Sequence, residues 1–404
     1  MSADVIYLPI IPRSGHFYLC HMRTLLLLND KACLRLEKND KIVYMGNSLL
    51  SNKTQKLKAI DFFCSGGGMS FGMQQAGIDV IAGIDFDPEC KETYESNIKG
   101  AKYILANVSE LKEADLSKEI DIKKNDDNLI LIGCSPCQYW TIIRTSKNKS
   151  EKSKDLLHEF HRFVKYYNPG YVVVENVPGI LNKQKESGLN IFIDDLKKRG
   201  YAVHYKVVHL NEYGVPETRK RFSLIANRVT DKEIFPEPNN SCPTVADFIG
   251  TKNGFPKISA GHKDATSFMH TTAGLSEDNI KRLKLTPKNG GSRESWANTN
   301  LQLEAYKKKD RNISFNDTYG RMSWNKPAPT ITTKFFSISN GRFAHPDEDR
   351  PISLREGATL QTFPKTYKFI GTSVSSIARM IGNAVPPLYA KKLGLTILKN
   401  HDKR

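Results

Sequence analysis

Across residues 57–227 short apolar runs alternate with amphipathic stretches, and this alternation admits few architectures. The runs "LKAIDFF", "VIAGID", "LILIG", "YVVVEN", "YAVHYKVVHL" and "RFSLIA" read as strands. Between them stand helix-like stretches such as "MSFGMQQAG", which Gly77 stops, "PECKETYESN" and "LLHEFHRFVKYY". Strands this continuously apolar need cover on both faces. The expectation is an α/β fold, a largely parallel sheet with helices on either side. Ligands of such sheets bind beyond the carboxyl ends of the strands. The chemically informative residues stand just past those ends.

The rest of the chain is organised differently. Residues 1–55 read as a separate extension of unknown role, with a short apolar run at 7–11 and a candidate strand in "KIVYMGNSLL". The "LLLL" at 25–28 has too few apolar neighbours for a signal peptide. Residues 56–227 carry the alternating pattern. From 228 to 349 the alternation gives way to Gly, Pro, Asn and Lys, as in "TPKNGG" and "YKKKDR". Phe248, Phe255, Phe268, Leu275, Leu283 and Trp296 give that stretch material for a modest core. Residues 350–404 return to helical patterning and are expected to rejoin the first domain.

Charge and cysteine content narrow the function classes. The 60 basic residues exceed the 43 acidic ones, a net charge of +17. Such an excess suits a polyanionic partner, although a solvated Lys-rich surface would look the same. Seven scattered cysteines form no disulfide framework and fit a reducing cytoplasm. No apolar run approaches the length of a membrane span.

Cys134-Ser135-Pro136-Cys137 follows the run "LILIG". Viewed alone it reads as a redox C-x-x-C motif, or as half of a zinc site. No second closely spaced Cys or His pair completes a zinc site, so no metal is expected. The surrounding motifs favour another reading. "SPCQYW" resembles the Pro-Cys-Gln motif of the DNA cytosine-5 methyltransferases of bacterial and phage type. "DFFCSGGGMSFGMQQAG", "ENVPGI", "YGVPETRKRFSLIA", "LREGATLQTFP" and "IGNAVPP" are similar to further motifs of that family. All six stand in family order, from residue 57 to about 396. Single tripeptides are weak signals; six in order are specific.

The resemblance implies a Rossmann-like, S-adenosylmethionine-dependent methyltransferase sheet with a smaller target-recognition domain at 228–349. It implies transfer of a methyl group to C5 of a flipped-out cytosine through a covalent Cys137–C6 adduct. The chemistry asks for such a residue, because C5 is too weakly nucleophilic until a thiolate adds to C6. Glu175 matches the family acid that polarises the ring. Arg219 and Arg221 match the paired arginines and share one face if the segment is extended; Arg221 is the match for the one on the base. The family usually has Gln where this chain has Glu217, which puts a local polar contact in doubt.

For the cofactor the resemblance points to Phe63, Ser65, Gly67, Asp85, Phe86, Asn107, Val108, Pro136 and Asn383. Asp85 ends a strand, where an acid accepts from ribose hydroxyls, and Phe86 can stack on adenine. Asn107 replaces the usual Asp at the adenine amine. The glycines do not form G-x-G-x-x-G, since Phe71 stands at the last position, which disfavours NAD.

Gln138, Arg144, Lys147 and Lys149 lie in a basic stretch after the nucleophile, where the family closes a loop on DNA. Double-stranded DNA is the expected partner, with no membrane and a monomeric enzyme in the cytoplasm, associated with the nucleoid through DNA. A separately encoded restriction endonuclease is a further expected partner. The rivals are a transfer-RNA cytosine-5 methyltransferase, a catalytically dead DNA-binding relative and a thiol-disulfide redox protein. The redox reading makes Cys134 essential; the methyltransferase reading makes it dispensable.

Overall fold

The structure, a computed structural model, describes residues 56–135, 155–239, 241–307 and 317–403, and the backbone of three short strands among the first 55. The chain divides into two units, residues 1–55 and 56–404. In the first, β1 (Leu25–Leu28), β2 (Ala32–Leu36) and β3 (Ile42–Tyr44) pair antiparallel in the order β1-β2-β3. The "LLLL" run is thus a strand, and β3 falls inside "KIVYMGNSLL". The run at 7–11 lies outside the described residues.

The second unit is built on seven strands: β4 (Lys58–Phe62), β5 (Asp79–Asp85), β6 (Lys102–Leu105), β7 (Leu129–Gly133), β8 (Tyr171–Asn176), β9 (Ala202–His209) and β10 (Lys220–Asn227). Their order is β6-β5-β4-β7-β8-β10-β9. Pairing is parallel from β6 to β8, and β10 runs antiparallel to both neighbours. This is an α/β, Rossmann-like sheet. The chain leaves β4 towards β5 and β6 on one side and later fills β7 and β8 on the other. The order therefore reverses beside β4, which opens a crevice at the strand ends.

Alternating residues explain why the runs are continuously apolar. Ile60, Phe62, Ile84, Leu129, Leu131, Val172 and Val174 face one core. Ala59, Val80, Ile130, Ile132, Tyr171 and Val173 face the other. Burying each such Leu, Ile or Val contributes about 1.5–3 kcal/mol. Phe160, Phe163 and Val164 of helix Leu156–Tyr167 and Phe192 and Leu196 of helix Leu189–Lys198 cover the first face. Helix Gly68–Ala76, capped by Gly77 at φ 100°, and the C-terminal helix Pro387–His401 cover the second. These two helices touch backbone to backbone: a Cβ on Gly72 would lie 2.4 Å from the Pro387 carbonyl oxygen and from the Ala390 Cβ.

Within 228–349 the apolar residues divide between two cores. Phe255 joins the core beneath the sheet, with Phe248 and Phe268 packed against it. Leu283 and Trp296 form a small separate cluster with Tyr319, Ile338 and Ala344, and Leu275 packs on it. The fully buried Arg321 ties this region together by donating to the carbonyls of Leu283, Thr286, His345 and Glu348. Among the described residues no helix is long and apolar enough to cross a membrane.

Candidate active site

The loops after β4, β5, β7 and β8 meet at the crevice. After β4, Phe63 and Ser65 both take positive φ, 62° and 45°, an uncommon conformation for residues with a Cβ. The turn closes with Gly67 N–H on the Cys64 carbonyl and leads into helix Gly68–Ala76. Gly67 sits at φ 87°, and a Cβ there would meet the Tyr367 hydroxyl at 2.9 Å. That hydroxyl donates to the Gly66 carbonyl, fixing the turn from a residue 301 positions away.

Asp85 ends β5 and is buried. Its Oδ2 accepts the Ser65 N–H at 2.9 Å and its Oδ1 accepts the Asp87 N–H at 3.0 Å. Burial raises its pKa above the usual carboxylate value, against these two donors. Phe86, the next residue, is 68% exposed. A large aromatic presented to solvent at a strand end, beside a carboxylate and a glycine turn, fits an adenosyl group, whose ring stacks and whose hydroxyls donate. Those residues would hold S-adenosylmethionine. Asn107 lies in the loop after β6, where its Oδ1 accepts the Ser109 N–H and its Nδ2 donates to Glu110. The Val108 side chain is buried in the core. Asn383 is exposed at the end of helix Val374–Asn383.

A contact invisible in the motifs braces this loop. Arg379, on helix Val374–Asn383, donates to Asp87 Oδ2 and Glu89 Oε2, each at 2.9 Å, so it ties down the segment that directly follows Phe86. Thr372 donates to the other Glu89 oxygen at 2.6 Å. The Arg379 side chain is 45% exposed, so each pair contributes little. Arg379→Ala is expected to weaken cofactor binding by about 2- to 5-fold and to leave DNA affinity unchanged. Calorimetric titration with S-adenosylmethionine and with duplex checks both.

Glu175 and Asn176 end β8, whose six residues are all buried. Glu175 Oε1 lies 3.0 Å from Arg221 Nε, an ion pair with side chains 9% and 12% exposed. Burial pushes the Glu175 carboxyl above its ordinary pKa, while Arg221 and then Arg219 pull it back. The pair forms because β10 lies beside β8 in antiparallel register, Ser223 opposite Glu175. Asn176 Nδ2 donates to the Ser135 hydroxyl at 3.1 Å and to its carbonyl at 3.3 Å, and Asn176 Oδ1 accepts the Val177 N–H. The Glu-Asn-Val segment is thereby tied to the chain two residues before Cys137. Sequence alone assigns Asn176 no role, although it sits inside "ENVPGI".

The two arginines do not share a task. Arg219 is buried, and its guanidinium donates to the carbonyls of Ile331, Gly382 and Ala384. Arg219, which the resemblance groups with Arg221 among the catalytic residues, thus spends its guanidinium on backbone carbonyls, while Arg221 is the one that meets Glu175. Arg219 anchors the turn that carries Asn383. Gly382 must be glycine there, since a Cβ would lie 2.4 Å from the Thr332 backbone.

Cys134 is half-buried against the core, and burial with the nearby Asp61 and Glu175 carboxylates pushes its thiol well above the usual value. Pro136, Cys137, Gln138, Arg144, Lys147 and Lys149 lie outside the described residues.

A switch-point crevice with a glycine turn, an exposed aromatic and a buried acid–arginine pair fits a methyltransferase of the Rossmann-like class, and the comparisons with known proteins show that class. The family model of the C-5 cytosine-specific DNA methylases matches residues 57–399. Two bacterial proteins are similar over nearly the same span. The type II methylase M.HgiDII of Herpetosiphon aurantiacus is 37% identical over 84% of this chain and 94% of its own length. The type II methyltransferase M1.HphI of Haemophilus parahaemolyticus is 27% identical over 85% and 87%. In fold the chain is similar to a protein encoded within an E. coli prophage and described as a DNA modification methyltransferase, at TM-score 0.64, 22% identity and coverage of 86% and 100%. It is also similar to the S. pombe Dnmt2 methyltransferase, at TM-score 0.55, 16% identity and coverage of 85% and 99%. The chain belongs to the C-5 cytosine-specific DNA methylase family and is a DNA cytosine-5-methyltransferase.

Proposed function

We propose that the enzyme methylates C5 of a cytosine swung out of double-stranded DNA, through a transient bond between Cys137 and C6. The observation that carries this is the buried Glu175–Arg221 pair, which Asn176 ties to the segment leading into Cys137. The Cys137 thiolate adds to C6, forming a C–S bond, and the ring electrons move towards N3 and C5. Glu175, its neutral form favoured by burial, donates or shares a proton at N3 as that charge builds. Arg221 stays beside it and holds the acid in place. Bound S-adenosylmethionine supplies the electrophilic methyl group that C5 takes up. Return of the N3 proton to Glu175 and loss of the C5 proton to a base then expel the thiolate and restore the aromatic ring.

Extruding the base costs a few kcal/mol, offset by phosphate and groove contacts. The basic residues Arg144, Lys147 and Lys149 and the Lys-rich stretch 228–349 supply charge for those contacts. The type II names of the relatives support the view that this enzyme protects DNA against a separately encoded restriction endonuclease. The enzyme is taken to act as a cytoplasmic monomer on DNA.

The test is a duplex carrying 5-fluorocytosine at the target base, identified beforehand by mapping 5-methylcytosine. Fluorine cannot leave as a cation, so the adduct should persist and be recovered on Cys137 by peptide mapping. Methylation of the ordinary duplex with no trapped adduct at Cys137 would overturn the mechanism.

A further inference from the structure

Glu217 stands where the family usually has glutamine, and its surroundings explain how a carboxyl is tolerated there. The side chain is fully buried. Its Oε2 accepts the Ile331 N–H at 2.9 Å, while its Oε1, equally buried, has no hydrogen-bond partner among the described residues. The nearest cation, Arg219 Nη1, is 4.0 Å away and already donates to the Ile331 carbonyl. An ionised carboxylate would leave one oxygen's charge in a dry site without a donor, which is costly. A protonated one leaves only a hydroxyl.

The position matters because three distant segments meet there. Residues 216–218 pair with Ala328 through the Ala328 N–H on the Pro216 carbonyl and the Thr218 N–H on the Ala328 carbonyl, each 2.8 Å. Three residues on, Ile331 receives Glu217 at its N–H and Arg219 at its carbonyl. Arg219 also anchors Gly382 and Ala384. Glu217 thus closes the seam where the chain returns from the recognition region to the catalytic sheet, beside Arg219 and within the electrostatic reach of Arg221.

We propose that Glu217 works as a neutral carboxylic acid in the place of a glutamine amide, a positioning residue that holds the Ile331 seam and the Arg219 anchor near the Glu175–Arg221 pair. Its bearing on catalysis rests on the role given to that pair above; its bearing on stability does not. The charged groups facing it are Arg219 and Arg221, both from its own segment. The segments against it, residues 328–331 and 382–384, carry no titratable side chain. Burial pushes its pKa up to about 7 against those two arginines. The unfolded chain ionises Glu217 near the ordinary value of 4.5, so the folded state holds the extra proton between the two values. Stability is unpenalised below about pH 4.5, falls as pH rises towards 7, and stays low above it.

The experiment compares wild type with Glu217→Gln, full length, from pH 5 to 9. Thermal melting and kcat on duplex are followed at each pH, with Glu217→Ala as a control. The amide cannot ionise, so the Gln variant should melt with wild type at pH 5 and about 5 °C above it at pH 8. Its activity relative to wild type should rise severalfold over the same interval, whereas Glu217→Ala should lose activity at every pH. Melting curves that run parallel across the range, or a Gln variant that does not fold, would overturn the proposal. A persistent pH-dependent melting difference with no adduct at Cys137 would instead leave the seam intact and remove the covalent mechanism.

Discussion

Cys137→Ser should lower methyl transfer below about one part in 10³ of wild type, while Cys134→Ser retains most of the activity. A serine hydroxyl is almost never ionised at neutral pH and is a poor nucleophile towards C6, so C5 never gains the electron density it needs. Cys134 is not free to play that part. Its thiol is held protonated by burial and by the Asp61 and Glu175 carboxylates, which makes it unsuited both to attack and to thiol–disulfide exchange. Serine is close to isosteric and changes little in a half-buried position. Transfer of a labelled methyl group to duplex by each variant decides the matter. An inactive Cys134 variant beside an active Cys137 variant would reverse the assignment and revive the redox reading.

Glu175→Gln should reduce kcat by about 10²- to 10⁴-fold, the range for loss of a general acid, with duplex affinity within about 3-fold of wild type. The amide keeps the shape of the carboxyl and the end of β8, but it cannot lend a proton to N3. The effect also has a pH signature. Burial outweighs the two arginines and raises the carboxyl pKa, so the neutral acid persists to higher pH than for an exposed glutamate. Wild-type activity should therefore decline on the alkaline side as that proton is lost, and the Gln variant should lack this limb of the profile. Single-turnover rates and filter-binding titrations separate the two effects. Equal losses in rate and binding would make Glu175 a structural residue that holds Arg221 in place.

Much of this protein is legible along its chain. Runs such as "LILIG" and "YVVVEN" are apolar at every position because both faces of β7 and β8 are covered, and sequence alone signals that burial. The order of six motifs points to the family, and the family model spans the same residues. Local chemistry also reads directly: an acid and an aromatic at the end of β5 have the groups that an adenosyl-type ligand would need, whatever lies beyond them. Other features were out of reach. The antiparallel insertion of β10 between β8 and β9 is what brings Arg221 to Glu175, and no periodicity encodes strand order.

Extended geometry puts Arg219 and Arg221 on one side of the chain, but it cannot say what stands opposite. Arg219 meets carbonyls from residues 331, 382 and 384, more than a hundred positions away, and so becomes an anchor. Glu217 becomes a buried carboxyl with one oxygen lacking a donor among the described residues, and Arg379 a brace for the segment after Phe86, for the same reason. Chain pattern determined which chemistry these residue types can perform. Only the folded packing decided which of them meet one another at the strand ends and which are locked onto backbone carbonyls, because a side chain's solvation and partners are properties of the segments that close over it.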